Sequence, residues 1–289
     1  MHYLVQNMRL EQTPEMENHA NWLLDVGAGF NLDNTDKIAI PSHMLCPDEK
    51  LESLVNQIYS DMGQEDQDDQ YFLDRNILAC TNDSVMHLNK KLVDKFPGEK
   101  HTLWSADSVE LEDAAMNELQ PYPMDYLQSL VSSSLPLASL ELKVGCPIML
   151  LRNLDPSNGL CNGTRLRILA IRRRVVQCRI ISGDRKYQGK IVFIPRITLA
   201  PAAEDLPIPL WRRQFPIRLA FSMTINKSQG QGLAHVGLDL RSPVFSHGQL
   251  YVGLSRCTSG NRLKVLLKNT DHGRTTNVVY KEILRGLQL

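Results

Sequence analysis

The sequence predicts an α/β domain interrupted by a small, strand-rich insertion, and three observations carry that prediction. Over the first hundred residues short apolar runs alternate with amphipathic helical stretches, the pattern of a sheet covered by helices. From Pro147 the texture changes to short β-rich runs separated by turn residues. From Ile217 the alternation of strand and helix returns. A chain of 289 residues has room for one large domain or two modest ones, at about 100 to 200 residues each.

Taken in order, Glu11 to Val26 reads as a helix, with Thr13 as N-cap, Pro14 at the first helical position and Gly27 and Gly29 as its stop. Lys37 to Pro41 (KIAIP) and Asn76 to Cys80 (NILAC) fit buried strands. Between them, Asp48 to Tyr59 carries Leu51, Leu54, Val55 and Ile58 on one helical face, and the acidic Gln64 to Gln70 reads as a solvated loop. Thr81-Asn82-Asp83 then opens a helix marked by Val85, Leu88, Leu92 and Val93, whose free N-terminal N–H groups suit a phosphate. Pro147 to Leu151, Arg165 to Ile171, Val175 to Ile181 and Lys190 to Leu199 are strands of a small antiparallel barrel or meander. Ala200 to Pro216, with Pro201, Pro207, Pro209 and Pro216, reads as an irregular exit from it. Strands at Ile217 to Ser222, Val236 to Leu240 and Leu263 to Leu267 follow, with helices at His247 to Arg256 and near Asn277 to Leu287.

Composition excludes several classes. With 43% hydrophobic and 22% charged residues, 17 Gly and 15 Pro, the chain is not collagen-like, wholly disordered or a coiled coil. It has no run of 18 apolar residues, and Met1 to Gln12 lacks the basic start and apolar core of a signal peptide. The six cysteines include no C-x-x-C pair, which fits reduced thiols rather than zinc or a disulfide framework. The balanced charge hides a division: residues 1 to 140 carry 8 basic and 24 acidic residues, and 141 to 289 carry 24 and 8. A surplus of that size draws polyanions, unless the halves neutralise each other within one fold.

No complete catalytic motif is visible. The phosphate loop G-x-x-x-x-G-K-[ST] is absent, and Gly183 to Ile191 reads as a hairpin turn instead. Asp48-Glu49 follows Pro47 and opens a helix, unlike a magnesium-binding acidic pair at the end of an apolar strand. Gly27-Ala28-Gly29 lacks the third glycine of a dinucleotide loop. There is no G-x-S-x-G, no H-E-x-x-H and no Cys with an obvious base.

Two segments are more specific. Ala220 to Leu233 (AFSMTINKSQGQGL) and Gln249 to Ser259 (QLYVGLSRCTS) closely resemble motifs five and six of superfamily-one DNA helicases of the Pif (petite integration frequency) type, in particular the Helitron-borne forms. Val5 to Leu10 resembles motif four, Leu78 to Asn89 the DNA-contact motif that follows it, and Leu140 to Gly163 the 2B insertion. The resemblance implies an α/β fold made of a RecA-like second motor domain (2A, residues 1–125 and 211–289) with an inserted 2B-type β-barrel and Pro-rich exit (126–210).

What the resemblance implies for individual residues is carried over by motif. Arg256 and Arg9 fall at positions assigned to the γ-phosphate of ATP, where an arginine is worth about 10³ to 10⁵ in rate; from the residues alone, Arg256 also reads as a helix-terminal cation favouring the macrodipole. Thr224, Asn226 and Lys227 fall at single-stranded DNA contacts, and Gln229 and Gly230 on the nucleotide side. Thr81, Asn82 and Asn89 match the upstream DNA-contact motif, although Asn82 serves equally as a helix N-cap. Two departures stand out: Asn226 where the family usually has His, and Gly232 where it has Thr. Trp104 and Trp211 read as core residues or as base-stacking platforms, and Arg172 to Arg174 as a solvated turn or a phosphate contact. ATP and Mg are the implied cofactors, with their primary site in a first RecA-like domain that has no counterpart in this sequence. Single-stranded DNA and that first domain are the implied partners, and a nuclear location follows from the family alone. On this reading the chain neither hydrolyses ATP nor unwinds DNA by itself; the rival is a non-catalytic nucleic-acid-binding protein derived from a transposon helicase.

Overall fold

Apolar runs bounded by turn residues become strands and amphipathic stretches become helices, in an order that the computed structural model gives for residues 14–64, 67–109, 122–132, 134–201, 205–280 and 282. Helix α1 (Pro14–Ala28), strand β1 (Lys37–Ala39), helices α2 (Leu51–Ile58) and α3 (Asp69–Asp74), strand β2 (Arg75–Ala79) and helix α4 (Asn82–Lys95) come first. Strands β3 (His101–Trp104) and β4 (Ala106–Val109), helix α5 (Met124–Ser129) and strands β5 (Ser139–Leu142), β6 (Pro147–Leu150), β7 (Arg165–Ile171), β8 (Val175–Ile180), β9 (Ile191–Pro195), β10 (Ile197–Leu199), β11 (Leu210–Gln214) and β12 (Ile217–Leu219) follow. The chain continues through β13 (Ser222–Thr224), β14 (His235–Asp239), helix α6 (Gln249–Leu254), β15 (Leu263–Leu266) and β16 (Arg274–Thr276). It divides into two units, Met1–Leu88 with Ser222–Leu289, and Asn89–Phe221.

The first unit is organised by a parallel four-stranded sheet of order β13-β2-β14-β15. Its inner strands β2 and β14 are buried at four of five positions, the continuous apolar run expected of strands covered on both faces. Helix α2 buries Leu51, Leu54, Val55 and Ile58. It approaches β14 at Gly237, where a Cβ would come within 3.0 Å of Leu54 and Ile58. Leu78, Met223, Val236, Leu238, Leu250, Leu254 and Val265 form the core, with Trp22 and Leu23 of α1 packed against it. Gly29, at φ +71°, ends α1, as the glycine stop predicts. The buried Asn277 amide donates to Val26 O at 2.8 Å and holds that end in place.

The second unit is antiparallel. Its largest sheet has the order β12-β6-β7-β8-β9, a meander from β6 to β9 with β12 added beside β6. Among the described residues this sheet runs from β9 to β12 with no closing pair, so it is described as a meander. A three-stranded sheet (β10-β11-β4) and a β3–β5 pair complete the unit. Lys143 Nζ donates to Asp94 O and Phe96 O at the C-terminus of α4, where a cation meets the free carbonyls.

Several expectations need correcting. The predicted strand Ile217–Ser222 is two strands in two sheets: β12 pairs antiparallel with β6, and β13 pairs parallel with β2. The chain changes sheet at Ala220 and Phe221, both buried. Lys37–Pro41 supplies β1, which pairs antiparallel with β16 instead of joining the parallel sheet. The acidic loop is shortened by α3, which begins at Asp69, and the Pro-rich exit contains β11. Strands β3 and β4, which are not among the expected elements, pair with β5 and β11 of the second unit. Residues 277–280 are not helical and Glu282 is, while the rest of the helix expected near Asn277 to Leu287 lies outside the described residues, as does Thr13.

One charge pair ties the second unit's smaller sheet to its helix. The Arg212 guanidinium, 1% exposed, meets the fully buried Asp107 carboxylate at 2.8 to 3.1 Å across the β11–β4 register. It also donates to Leu127 O, Leu130 O and Pro136 O. Removing one partner strands a buried charge, at a cost of about 3–5 kcal/mol. Asp107→Ala is therefore expected to lower the urea midpoint sharply, and Asp107→Leu with Arg212→Leu to recover part of the loss. An Asp107→Ala midpoint equal to that of the unsubstituted chain would contradict this.

Candidate functional site

In open α/β sheets ligands bind outside the carboxyl ends of the strands. Here three neighbouring strands end level: Ala79 of β2 stands in register with Thr224 of β13 on one side and Asp239 of β14 on the other. Each end is followed by a polar segment. After β2 come Cys80, Thr81 and α4; after β13 comes a 3-10 turn, Ile225–Ser228; after β14 comes Arg241, whose guanidinium clasps the buried Asp239 carboxylate at 2.7 and 2.9 Å. The hydrogen bonds to Asp239 hold the Arg241 pKa above its ordinary value.

Thr81 is the N-cap of α4: the Ser84 N–H donates to Thr81 Oγ1 at 3.2 Å. That assigns the capping role to Thr81 and leaves Asn82 exposed at the first helical position, beside the free N–H groups of the first turn. Asn89 lies about 10 Å further along the helix, two turns in, and is buried. The structure does not bring it to the strand ends. Burial pushes the Cys80 thiol up to about 12, which leaves it inert as a nucleophile.

Thr224 is half-buried and precedes the 3-10 turn without a side-chain capping bond. Ile225 and Ser228 point into the core and fix the turn, so Asn226 and Lys227 stand exposed between them. Exposed Gln229 and Gly230 follow. Gly230 has φ +85°, a left-handed conformation that glycine adopts without strain, and open space surrounds it. Gly232 is not in that region and a Cβ there would meet no atom within 4 Å.

Arg256 follows α6 and is 8% exposed. Its Nε donates to Val252 O at 2.9 Å, the helix-terminal contact expected of a C-terminal arginine. Its Nη1 reaches further, to Ser228 O at 3.5 Å and Gln231 O at 3.3 Å, on either side of Gln229 and Gly230. Leu233 N–H donates to Arg256 O at 3.0 Å, which closes the same loop from its other end.

Sequence reasoning missed Gln249. Buried at the start of α6, it donates to Asn226 Oδ1 at 3.4 Å and accepts from Phe245 N–H at 3.0 Å, which orients the Asn226 amide. The signal available was its place inside the Gln249–Ser259 segment, 23 positions from its partner. Thr81, Asn82, Thr224, Asn226 and Lys227 thus stand at or just after adjacent strand ends, with Gln229 and Gly230 on the connected loop and Arg256 bonded to it. Arg9 lies outside the described residues.

Known proteins resemble this chain in sequence and fold. A family model for the 2B domain of the DNA helicase Pif1 matches residues 125–171, from α5 through β7. The chain is 32% identical over 192 residues to the ATP-dependent DNA helicase PIF1 of Homo sapiens, covering 65% of this chain and 26% of that protein. It is 33% identical over 141 residues to ATP-dependent DNA helicase Pif1 of Bdellovibrio bacteriovorus, covering 49% and 30%. The chain therefore spans less than a third of these relatives. Among solved structures, Pif1 helicase from Candida albicans superposes with a TM-score of 0.58 at 20% identity, covering 93% of this chain and 57% of that one. Bacteroides Pif1 in complex with ADP-AlF3 and ssDNA gives 0.59 at 18%, covering 99% and 55%. The chain has the RecA-like α/β fold of these Pif1 structures, and over 65% of its length it is similar in sequence to a Pif1 helicase, in keeping with a C-terminal portion.

Proposed function

We propose that this chain supplies the second motor domain and 2B insertion of an ATP-dependent DNA helicase that tracks 5′ to 3′ along one strand, in a Helitron-like form. The observation that carries the reading is the row of hydroxyl, amide and ammonium groups at or just after the adjacent ends of β2 and β13: Thr81, Asn82, Thr224, Asn226 and Lys227. Such groups beside a helix N-terminus grip a phosphodiester without reading its bases. In this reading Arg256 couples nucleotide to DNA. Its guanidinium holds the carbonyls of Ser228 and Gln231, and a γ-phosphate presented by a first motor domain competes for the same donors. Releasing those carbonyls loosens the loop that carries Asn226 and Lys227. ATP and Mg enter through that first domain, upstream or separate, which provides the phosphate loop and acidic ligands; without it the chain binds DNA and turns over no ATP. The alternative, a nucleic-acid-binding protein with no nucleotide coupling, shares the DNA grip and lacks the Arg256 step.

The test is binding of labelled oligodeoxythymidylate by anisotropy across a salt series, with ATP turnover read in the same samples. Affinity should fall steeply with salt, and Lys227→Ala should reduce the slope of log K against log salt by about 0.7, one phosphate on a single strand. An unchanged slope would remove Lys227 from the interface. Turnover appearing when a first RecA-like motor domain is added, and lost in Arg256→Ala, supports the coupled motor. DNA binding without such turnover supports the alternative.

The two loop glycines separate conformation from contact. Gly230→Ala forces a side chain into the left-handed region and should cost about 1 kcal/mol or more in thermal or urea unfolding. Gly232→Thr restores the residue usual in the family and meets no neighbour, so stability should stay within about 0.5 kcal/mol. The reverse order of the two effects would show that the loop differs from the one described.

A further inference from the structure

We propose that the second unit carries its own site for single-stranded nucleic acid, formed by Arg173, Arg196 and Arg213 with the indoles of Trp104 and Trp211. It is separate from the strand-end row of the first unit and does not rest on helicase activity.

Strand alternation builds one half. Along β11, Leu210, Arg212 and Gln214 point inward, and Trp211 and Arg213 point out. The two inward polar groups are satisfied, Arg212 by Asp107 and the Gln214 amide by Leu103 O and Ala138 O. The outward pair is flanked in register by small residues: Trp211 by Ser108, and Arg213 by Ala106 and Thr198. An indole and a guanidinium about 7 Å apart along the strand therefore rise from an otherwise low surface.

Arg196 builds the other half. It stands between β9 and β10, donates from Nη1 to Trp104 O at 2.6 Å and from Nε to Arg173 O at 3.1 Å, and lies 4.7 Å over the Phe215 ring. These bonds join the β7–β8 turn to the end of β3. They hold Arg196 near both Arg173 and Arg213, whose charges add to burial in lowering its pKa. Among the described residues no carboxylate forms an ion pair with any of the three. Like charges gathered without a counterion are unfavourable until an anion arrives. Trp104 is 55% exposed and Trp211 37%, which corrects the core reading of both.

Guanidinium groups for phosphates and open indole faces for bases fit a single strand rather than a duplex, whose bases are stacked and paired. The unit as a whole agrees, since residues 89–221 hold 19 basic and 13 acidic residues.

The chain has three tryptophans, and the third, Trp22, packs on the core of the first unit. Trp22→Phe in the full chain therefore leaves Trp104 and Trp211 as the only indole reporters. Titration with oligodeoxythymidylate should quench their fluorescence, and added salt should reverse the quench. Arg173→Glu with Arg213→Glu should abolish the quench, reduce the salt slope by at least about 1.4 and leave the melting curve unchanged. Trp104→Ala should weaken binding about fivefold or more, with Trp104→Phe retaining part of it. The triple variant Thr224→Ala, Asn226→Ala, Lys227→Ala should keep the quench while losing affinity at the strand ends. Binding by anisotropy with no quench, or a quench lost in the triple variant and kept in the charge reversal, overturns this site and leaves the strand-end reading intact. A quench that survives while the triple variant binds as tightly as the parent chain does the opposite.

Discussion

The pairing of β2 with two strands from the far end of the chain is the constraint on which the first unit depends. Residues 75–79 lie in a parallel ladder with 222–224 on one side and 235–239 on the other, so the sheet cannot form until everything between Ala79 and Ser222 has been looped out. Loop closure rises only slowly with length, so the insertion adds little to that cost. The return is an almost wholly buried strand pair and three strand ends brought level. Everything at the candidate site hangs from those ends: Thr81 as the cap residue after β2, Thr224 as the last residue of β13, Asp239 as the last of β14.

Rigidity at the site comes from side chains that face inward beneath exposed ones. Ile225 and Ser228 anchor the turn that displays Asn226 and Lys227; Gln249 orients Asn226; Arg256 holds the carbonyls flanking Gln229 and Gly230. Four hydrogen bonds from one guanidinium at 2.9 to 3.5 Å make Arg256 the joint between α6 and the loop. A group so placed cannot change partners without moving the loop. This is a physical basis for coupling that a freely extended arginine would lack, because a ligand shifts an equilibrium only through differential contacts in the two states.

Much of this was legible in the sequence where local physics decides. The apolar face of α2, the runs of β2, β14 and β15, the glycine stop of α1 and the strands β6 to β9 follow from periodicity and turn residues that no distant contact overrides. What failed was partner choice. Ile217 to Ser222 is one apolar run, and nothing in it announces that Ala220 and Phe221 carry the chain from one sheet to another. Strands β3, β4 and β11 are short and mixed in character, because the inward faces of β4 and β11 combine apolar Val109 and Leu210 with the buried Asp107–Arg212 pair. The candidate residues on the two motifs came from the family resemblance; Gln249 was not singled out, since its hydrogen bond is to a residue 23 positions away.

The charge division of the sequence acquires a structural meaning only residue by residue. Basic residues outnumber acidic ones in the C-terminal half, yet they do not act alike. Arg212 is neutralised in the interior, and Arg241 is clasped by Asp239 beside the strand ends. Arg196, near Arg173 and Arg213, is anchored by the backbone carbonyls of Arg173 and Trp104, which fix its position without cancelling charge. A carbonyl anchor leaves the field of the guanidinium open to solvent, whereas a carboxylate partner extinguishes it. The surplus that attracts a polyanion is therefore concentrated where the fold supplies dipoles in place of counter-charges, and a net charge near zero is compatible with strong local attraction.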